Sequence, residues 1–178
     1  LNVCEDVIYD TFKTFSDKKI TEKPFRRITY ADAMMKYGSD KPDLRNPLII
    51  CDLTDFFADV EFPAFKGKPV RGIVADCTGK SKKFFEDSLK FATSPEVGLG
   101  GLGYITLKDG VFAGPIAKFL SDAKKAEIIE ITGVKEGETL FFICDDKKND
   151  TEKKAGMIRE WLAKKDQLDL IRDDAFEF

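Results

Sequence analysis

Tyr104-Ile105-Thr106-Leu107-Lys108-Asp109-Gly110-Val111-Phe112-Ala113 is two short apolar runs on either side of an Asp-Gly pair. Asp and Gly tolerate positive φ, and two such residues close the tight turn whose twist matches that of paired strands. The runs on either side of it are therefore read as antiparallel neighbours, and the sheet they start sets the fold. A glycine-dense loop precedes them, and before that Ser81 to Thr93 carries Phe84, Phe85, Leu89 and Ala92 at helical spacing, with lysines and Glu86 left for solvent. Downstream, Pro115 to Leu120 and Ala123 to Thr132 read as consecutive helical pieces. Thr139 to Cys144 is the most apolar strand in the chain, and Thr151 to Lys165 is a final amphipathic helix with Ala155, Ile158, Trp161 and Leu162 inward.

Further upstream, Pro47 to Leu53 suits a buried strand, with Thr54 as the cap of a brief helical turn at Asp55 to Phe57. Val60 to Phe65 and Pro69 to Asp76 read as two strands joined by Lys66-Gly67-Lys68. Strands and helices intermix and the strand pairs are hairpins. The expected class is thus α+β: a two-layer, largely antiparallel sheet with helices packed on one face, plus an N-terminal helical flank.

That flank begins with Leu1, Cys4, Ile8, Phe12 and Phe15 at steps of three and four, one apolar stripe of a helix. Such a stripe needs a partner, so it is expected to fold back on the domain or to self-associate. Ser16 to Arg27 reads as a connection. Thr29 followed by Asp32 forms a capping box for a short helix that stops at Gly38. Composition shifts near residue 46, which places a flank at 1–46, a compact domain at 47–165 and a return segment at 166–178. With no initiator Met and an apolar stretch at its last residues, the chain reads as an excised fragment.

Composition excludes several classes. The 178 residues hold 29 Lys+Arg against 32 Asp+Glu, so nonspecific polyanion binding is not expected, nor is DNA as a partner. Histidine is absent, which removes the commonest general base and the commonest metal ligand together. Cys4, Cys51, Cys77 and Cys144 form no C-x-x-C pair and read as reduced thiols of the core, with a disulfide as the alternative. No stretch approaches the ~20 apolar residues a membrane span needs, so a cytoplasmic protein without membrane contact is expected.

Apparent motifs fail on context. Gly98-Leu99-Gly100-Gly101-Leu102-Gly103 has the letters of a dinucleotide loop, but it follows a helix and opens a strand, so no helix N-terminus faces a phosphate. Gly79-Lys80-Ser81 lacks the first glycine of a P-loop. Asp145, Asp146, Asp150 and Glu152 alternate with lysines and read as a solvated loop, not as a cation site. The residues alone stop at an α+β domain with no active site of its own.

Residues 28 to 45 go further. Ile-Thr-Tyr-Ala-Asp-Ala-Met-Met-Lys-Tyr-Gly-Ser-Asp-Lys-Pro-Asp-Leu-Arg closely resembles a signature of bacterial-type aspartyl-tRNA synthetases, the stretch just before the GAD domain that interrupts their catalytic domain. Gly98, Gly101 and Leu102 match that domain's G-x-x-G-L. Gly114 to Leu120 resembles its most recognisable motif, and Gly156 and Arg159 correspond to the glycine and arginine of its last helix.

The resemblance implies a parent enzyme that joins aspartate to tRNA(Asp) through an aspartyl-adenylate, with ATP and magnesium, as a homodimer built on a motif outside this segment. It implies no catalytic, cofactor-binding or metal-binding residue here, and no catalysis by the segment alone. Asp40, Lys41, Asp43 and Arg45 lie beside the catalytic domain. Either Lys41 and Arg45 touch tRNA or the active site, or Asp40 and Arg45 fix the turn by charged hydrogen bonds. The alternatives for the whole are a GAD appendage of a glutamyl-tRNA amidotransferase, or a free-standing binding module. The Y-G-S-D-K-P-D-L-R flank favours the synthetase.

Overall fold

Asp109 and Gly110 both have positive φ, 52° and 72°, as a two-residue hairpin turn of the expected kind requires. They join strand β4 (Gly103–Lys108) to β5 (Val111–Ala113) with Lys108 opposite Val111. A computed structural model describes residues 2–178; Leu1, first residue of the predicted stripe, lies outside them. The other elements are α1 (Asn2–Phe15), β1 (Lys19–Ile20), α2 (Tyr30–Tyr37), β2 (Ile50–Asp52), β3 (Val70–Asp76), α3 (Lys82–Ala92), α4 (Asp122–Thr132), β6 (Glu138–Cys144), α5 (Lys148–Ala163) and β7 (Ala175–Phe176).

Five strands form one antiparallel sheet in the order β2-β3-β6-β4-β5. Its axis is the seven-residue pairing of β3 with β6, Val70 opposite Cys144 through Asp76 opposite Glu138. Ile73, Ala75, Phe141 and Ile143 point to the layer made by α3 and α5, where Phe84, Ala92, Ile158 and Leu162 meet them. This is the helical layer the sequence leads one to expect. The opposite face is covered as well: Val70, Leu140 and Phe142 pack with Phe57, Phe65, Ile116 and Ile128, contributed by two 3-10 turns, a loop and α4. Apolar residues at both parities of β3 and β6 are what a strand buried on both sides needs. At the seam, Thr139 is fully buried yet satisfied, because its hydroxyl shares a 2.8 Å hydrogen bond with that of Thr106 across the β4–β6 pair.

The strand expected over Val60–Phe65 does not form. Pro63 has no N–H to give a ladder, and the backbone folds into turns, with Phe65 and Lys66 amides donating to the Phe62 carbonyl. The rings of Phe57 and Phe65 instead sit 4.9 Å apart and close on Phe142. β3 takes β2 as its outer partner, Cys51 opposite Gly72. Nor does Thr54 cap the turn after it, which spans Phe56–Asp59. Its hydroxyl donates to Asp52 and accepts from the Val70 amide, stitching the edge of β2 to β3. α5 starts at Lys148, three residues before the expected Thr151.

The terminal segments meet each other. β1, inside the stretch expected to be a plain connection, pairs in parallel with β7 of the return segment, and Phe12 of α1 packs on Phe176 and Phe178 at 4.6 and 5.1 Å. The stripe thus folds back through Phe12, while Phe15 stays 83% exposed and no described residue of α1 is fully buried. No helix among the described residues is long and apolar enough to cross a membrane.

α2 is capped as its sequence requires. The Thr29 hydroxyl accepts from the Asp32 amide at 3.1 Å, and Gly38 ends the helix in the left-handed conformation with its amide on the Met34 carbonyl. Gly38 then crosses α5 at Gly156 with backbone against backbone. A Cβ on Gly156 would lie 2.7 Å from the Gly38 carbonyl oxygen, and one on Gly38 2.5 Å from Gly156 Cα. Gly156→Ala is therefore expected to cost about 1–3 kcal/mol, the usual penalty of overpacking. Urea unfolding followed by circular dichroism checks it; an unchanged midpoint would mean that the crossing is loose.

Candidate functional site

The signature segment leaves α2 at Gly38 and reaches β2 at Ile50, and a single side chain from α5 organises it. Arg159, 1% exposed, donates from Nε to the Leu48 carbonyl at 2.6 Å, and from one terminal nitrogen to the carbonyls of Asn46 at 2.7 Å and Asp43 at 3.1 Å. Its guanidinium also lies 5.0 Å from the ring centre of Tyr37. Three carbonyls that a loop would otherwise turn to water are thus collected by one planar fork. Burial shifts the Arg159 pKa downward, and the nearby Tyr37, Glu160 and Asp43 oppose that shift. Asn46, also buried, completes the seam: its side-chain amide donates to the Arg159 carbonyl, and its oxygen accepts from the Leu48 amide at 3.0 Å.

Within the segment, Asp43 and Arg45 pair with each other. The Asp43 carboxylate accepts from Arg45 Nε at 3.0 Å, from a terminal nitrogen at 2.8 Å and from the Arg45 backbone amide at 3.0 Å. These bonds, set against partial burial, hold the Asp43 carboxyl below the usual carboxylate range. The sequence suggested that Asp40 and Arg45 fix the turn by charged hydrogen bonds; Arg45 does so by gripping Asp43, two residues away and within reach of a tight turn. Asp40 and Lys41 are exposed on the outer side of the bend, where the Lys41 amide donates to the Ser39 hydroxyl. The four candidates are thus split into an internal pair and an outward pair.

A second buried arginine lies deeper. Arg71 of β3, fully buried, meets the carboxylates of Asp52 at 2.7 Å and Glu152 at 3.0 Å, and also donates to the Thr54 hydroxyl and the Val70 carbonyl. It ties β2, β3 and the first turns of α5 together. Sequence reading placed Arg71 in a strand without marking it. The available signal was parity: Arg71 shares a face with Ile73 and Ala75, so a charge there required buried partners. Glu152, read as part of a solvated loop, is one of them.

Two more acidic residues of that loop are engaged too, and Asp150 is exposed. Asp145 pairs with Lys154, and Asp146 with Lys68 at 2.8 Å. Carboxylates already neutralised by lysines do not suit a magnesium ion, and no group of three or more metal-ligating side chains occurs among the described residues. The glycine-rich loop leads from α3 into β4, the context that fails to present a helix N-terminus to a nucleotide diphosphate. The four cysteines are free. Burial raises the thiol pKa values of Cys51, Cys77 and Cys144 to about 11, which keeps them protonated, whereas Cys4 is exposed on α1, not in the core.

Comparison with known proteins bears on this arrangement. The GAD domain family model matches residues 63–154. The chain is 48% identical over 99% of its length to an aspartate–tRNA(Asp/Asn) ligase of Wolbachia pipientis, 46% to one from the Wolbachia of Brugia malayi and 44% over 98% to one of Rickettsia bellii. It spans about 30% of the length of these relatives.

Two outcomes are expected from the geometry. Arg159→Met, which keeps the volume and removes the donors, leaves the buried Leu48 and Asn46 carbonyls and the half-buried Asp43 carbonyl unpaired, and at ~1–3 kcal/mol for each buried group should lower stability by several kcal/mol in urea unfolding. The Asp43 pair should show in pH dependence. Because the folded state favours the charged carboxylate, its contribution is complete above the unfolded pKa near 3.8 and is lost as pH falls through the lower folded value. The gap in urea midpoint between the natural chain and Asp43→Asn should narrow below about pH 3.8; a constant gap from pH 7 to pH 2.5 would exclude the pair as its source.

Proposed function

Given that the chain belongs to the GAD domain family, we propose that it is the insertion segment of an aspartate–tRNA ligase, with residues 47–165 as the inserted domain, 1–46 as the catalytic-domain flank and 166–178 as the return. The observation that carries this reading is 48% identity sustained over 99% of the chain, through the flank as well as the domain. A domain borrowed as an appendage by another enzyme has no reason to keep the Y-G-S-D-K-P-D-L-R flank. The whole enzyme would activate aspartate with ATP and magnesium and transfer it to tRNA, as a cytoplasmic homodimer. The relatives' name extends the acceptors to tRNA(Asp) and tRNA(Asn).

The segment's own part is mechanical. Arg159 and the Gly38–Gly156 crossing weld the flank to the inserted domain, so the domain holds a fixed angle to whatever the flank is built into. Within the bend, Asp43 and Arg45 keep the turn in shape, and Lys41 is the residue free to meet an anionic partner.

Aspartylation by the full enzyme with residues 47–165 replaced by a short linker tests this. A loss in kcat/KM for tRNA, with aspartate-dependent pyrophosphate exchange retained, is the expected result. Unchanged aspartylation would remove the accessory role.

A further inference from the structure

A cleft of about 980 Å³ opens at the end of the sheet, where β6 finishes and β4 begins. Its floor is backbone. Gly98, Gly100, Gly101 and Gly103 line it, and a Cβ on Gly100 or Gly101 would meet nothing within 4 Å, so these two glycines are not there to relieve packing. They leave polar main chain open to a ligand.

Aromatic pairs from the two sheet layers flank this floor. Phe85 of α3 stacks on Tyr104 with ring centres 4.6 Å apart, as part of the layer made by α3 and α5. Phe62 and Phe119, from the other layer, lie 4.8 Å apart, and Phe119 is 37% exposed. A large ring left partly in water at the mouth of a cleft is a surface on which a flat ligand can stack.

The charges at the rim favour an anion. The carboxylates of Asp145 and Asp146 are neutralised by Lys154 and Lys68, and Lys154 also donates to the Gly98 carbonyl, which pins the loop. Lys82 pairs only with the exposed Glu86, a contact worth little in water. Lys118 is exposed, 5.1 Å from the Phe119 ring centre, and among the described residues no carboxylate comes within 4.0 Å of its ammonium. An open cation beside an exposed ring and a side-chain-free backbone matches a base linked to a phosphate; an apolar peptide would leave the lysine and the backbone groups unused.

We propose that this cleft binds an unpaired nucleotide, its base on Phe119 and its phosphate at Lys118. Free mononucleotides and single-stranded RNA both present this chemistry. The inference stands on the cleft and does not need the ligase reading.

Titration of the 178-residue chain at low salt with AMP, with ribose 5-phosphate and with single-stranded oligo(A), followed by calorimetry, tests it. Saturable binding of AMP or of the oligonucleotide is expected, with ribose 5-phosphate at least 5-fold weaker. Tighter binding of the oligonucleotide points to RNA, and binding of AMP alone to a free nucleotide. Stacking is worth about 1–3 kcal/mol per base, so Phe119→Ala should weaken binding about 5- to 150-fold. Lys118→Ala should flatten the salt dependence by about 0.7 in the log–log slope. Both side chains are exposed, and an unchanged circular dichroism spectrum shows that the variants fold; if Phe119→Ala does not, Lys118→Ala carries the test. No saturable binding, ribose 5-phosphate equal to AMP, binding of an apolar peptide in place of nucleotide, or folded variants that bind as the natural chain does would each overturn the proposal. Nucleotide binding absent while removal of the domain still impairs aspartylation would overturn this inference and leave the ligase reading intact.

Discussion

One guanidinium, that of Arg159, holds the segment after α2 against the rest of the molecule. Taking an arginine wholly out of water is costly, and the cost is met only if its donors find acceptors in fixed positions. Three carbonyls within six residues supply them. The loop from Asp43 to Leu48 consequently has one shape, set from the far end of the sequence. The contact also needs α2 and α5 to approach closely, and they do so because two glycines face each other at the crossing. An added methyl group on either would push the helices apart and draw Arg159 away from its carbonyls.

Arg71 repeats the logic one layer inward. Its partners come from β2 and α5, so the edge strand, the central strand and the last long helix are bound by charge as well as by apolar packing. One arginine reaches α5 from β3 through Glu152, and the other is carried by α5 itself. Together they make α5 the hub: its apolar side covers the sheet, and its polar contacts secure β3 on one hand and the signature segment on the other. The cleft where β6 finishes lies close to the Arg71 contacts, yet neither arginine lines it.

The sheet explains why parts of the chain read easily and others do not. Local rules foresaw the Asp109-Gly110 turn, the Thr29 cap, the Gly38 stop, and the apolar faces of α3 and α5, because each depends on residues within one or two turns of chain. Strand partners were less visible. Val60 to Phe65 has a strand-like composition, but Pro63 and the edge-to-face packing of Phe57, Phe62 and Phe65 favour a compact turn, and β3 pairs with β2 instead. The second covering layer escaped notice because β6 is apolar at every position from Leu140 to Cys144, and such a run does not say what lies on either side.

At the candidate site, the signature from Tyr37 to Arg45 did not say which carboxylate Arg45 would hold, nor that Asp40 and Lys41 would face outward. By itself the sequence determined the class of fold, most of its helices and hairpin, and its kinship, since these rest on local pattern and on a long run of matching residues. Tertiary structure alone decided the contacts of Arg159 and Arg71, the meeting of Gly38 with Gly156 and the opening of the glycine-floored cleft. Each joins residues from distant parts of the chain, and only the folded geometry says which donor finds which acceptor.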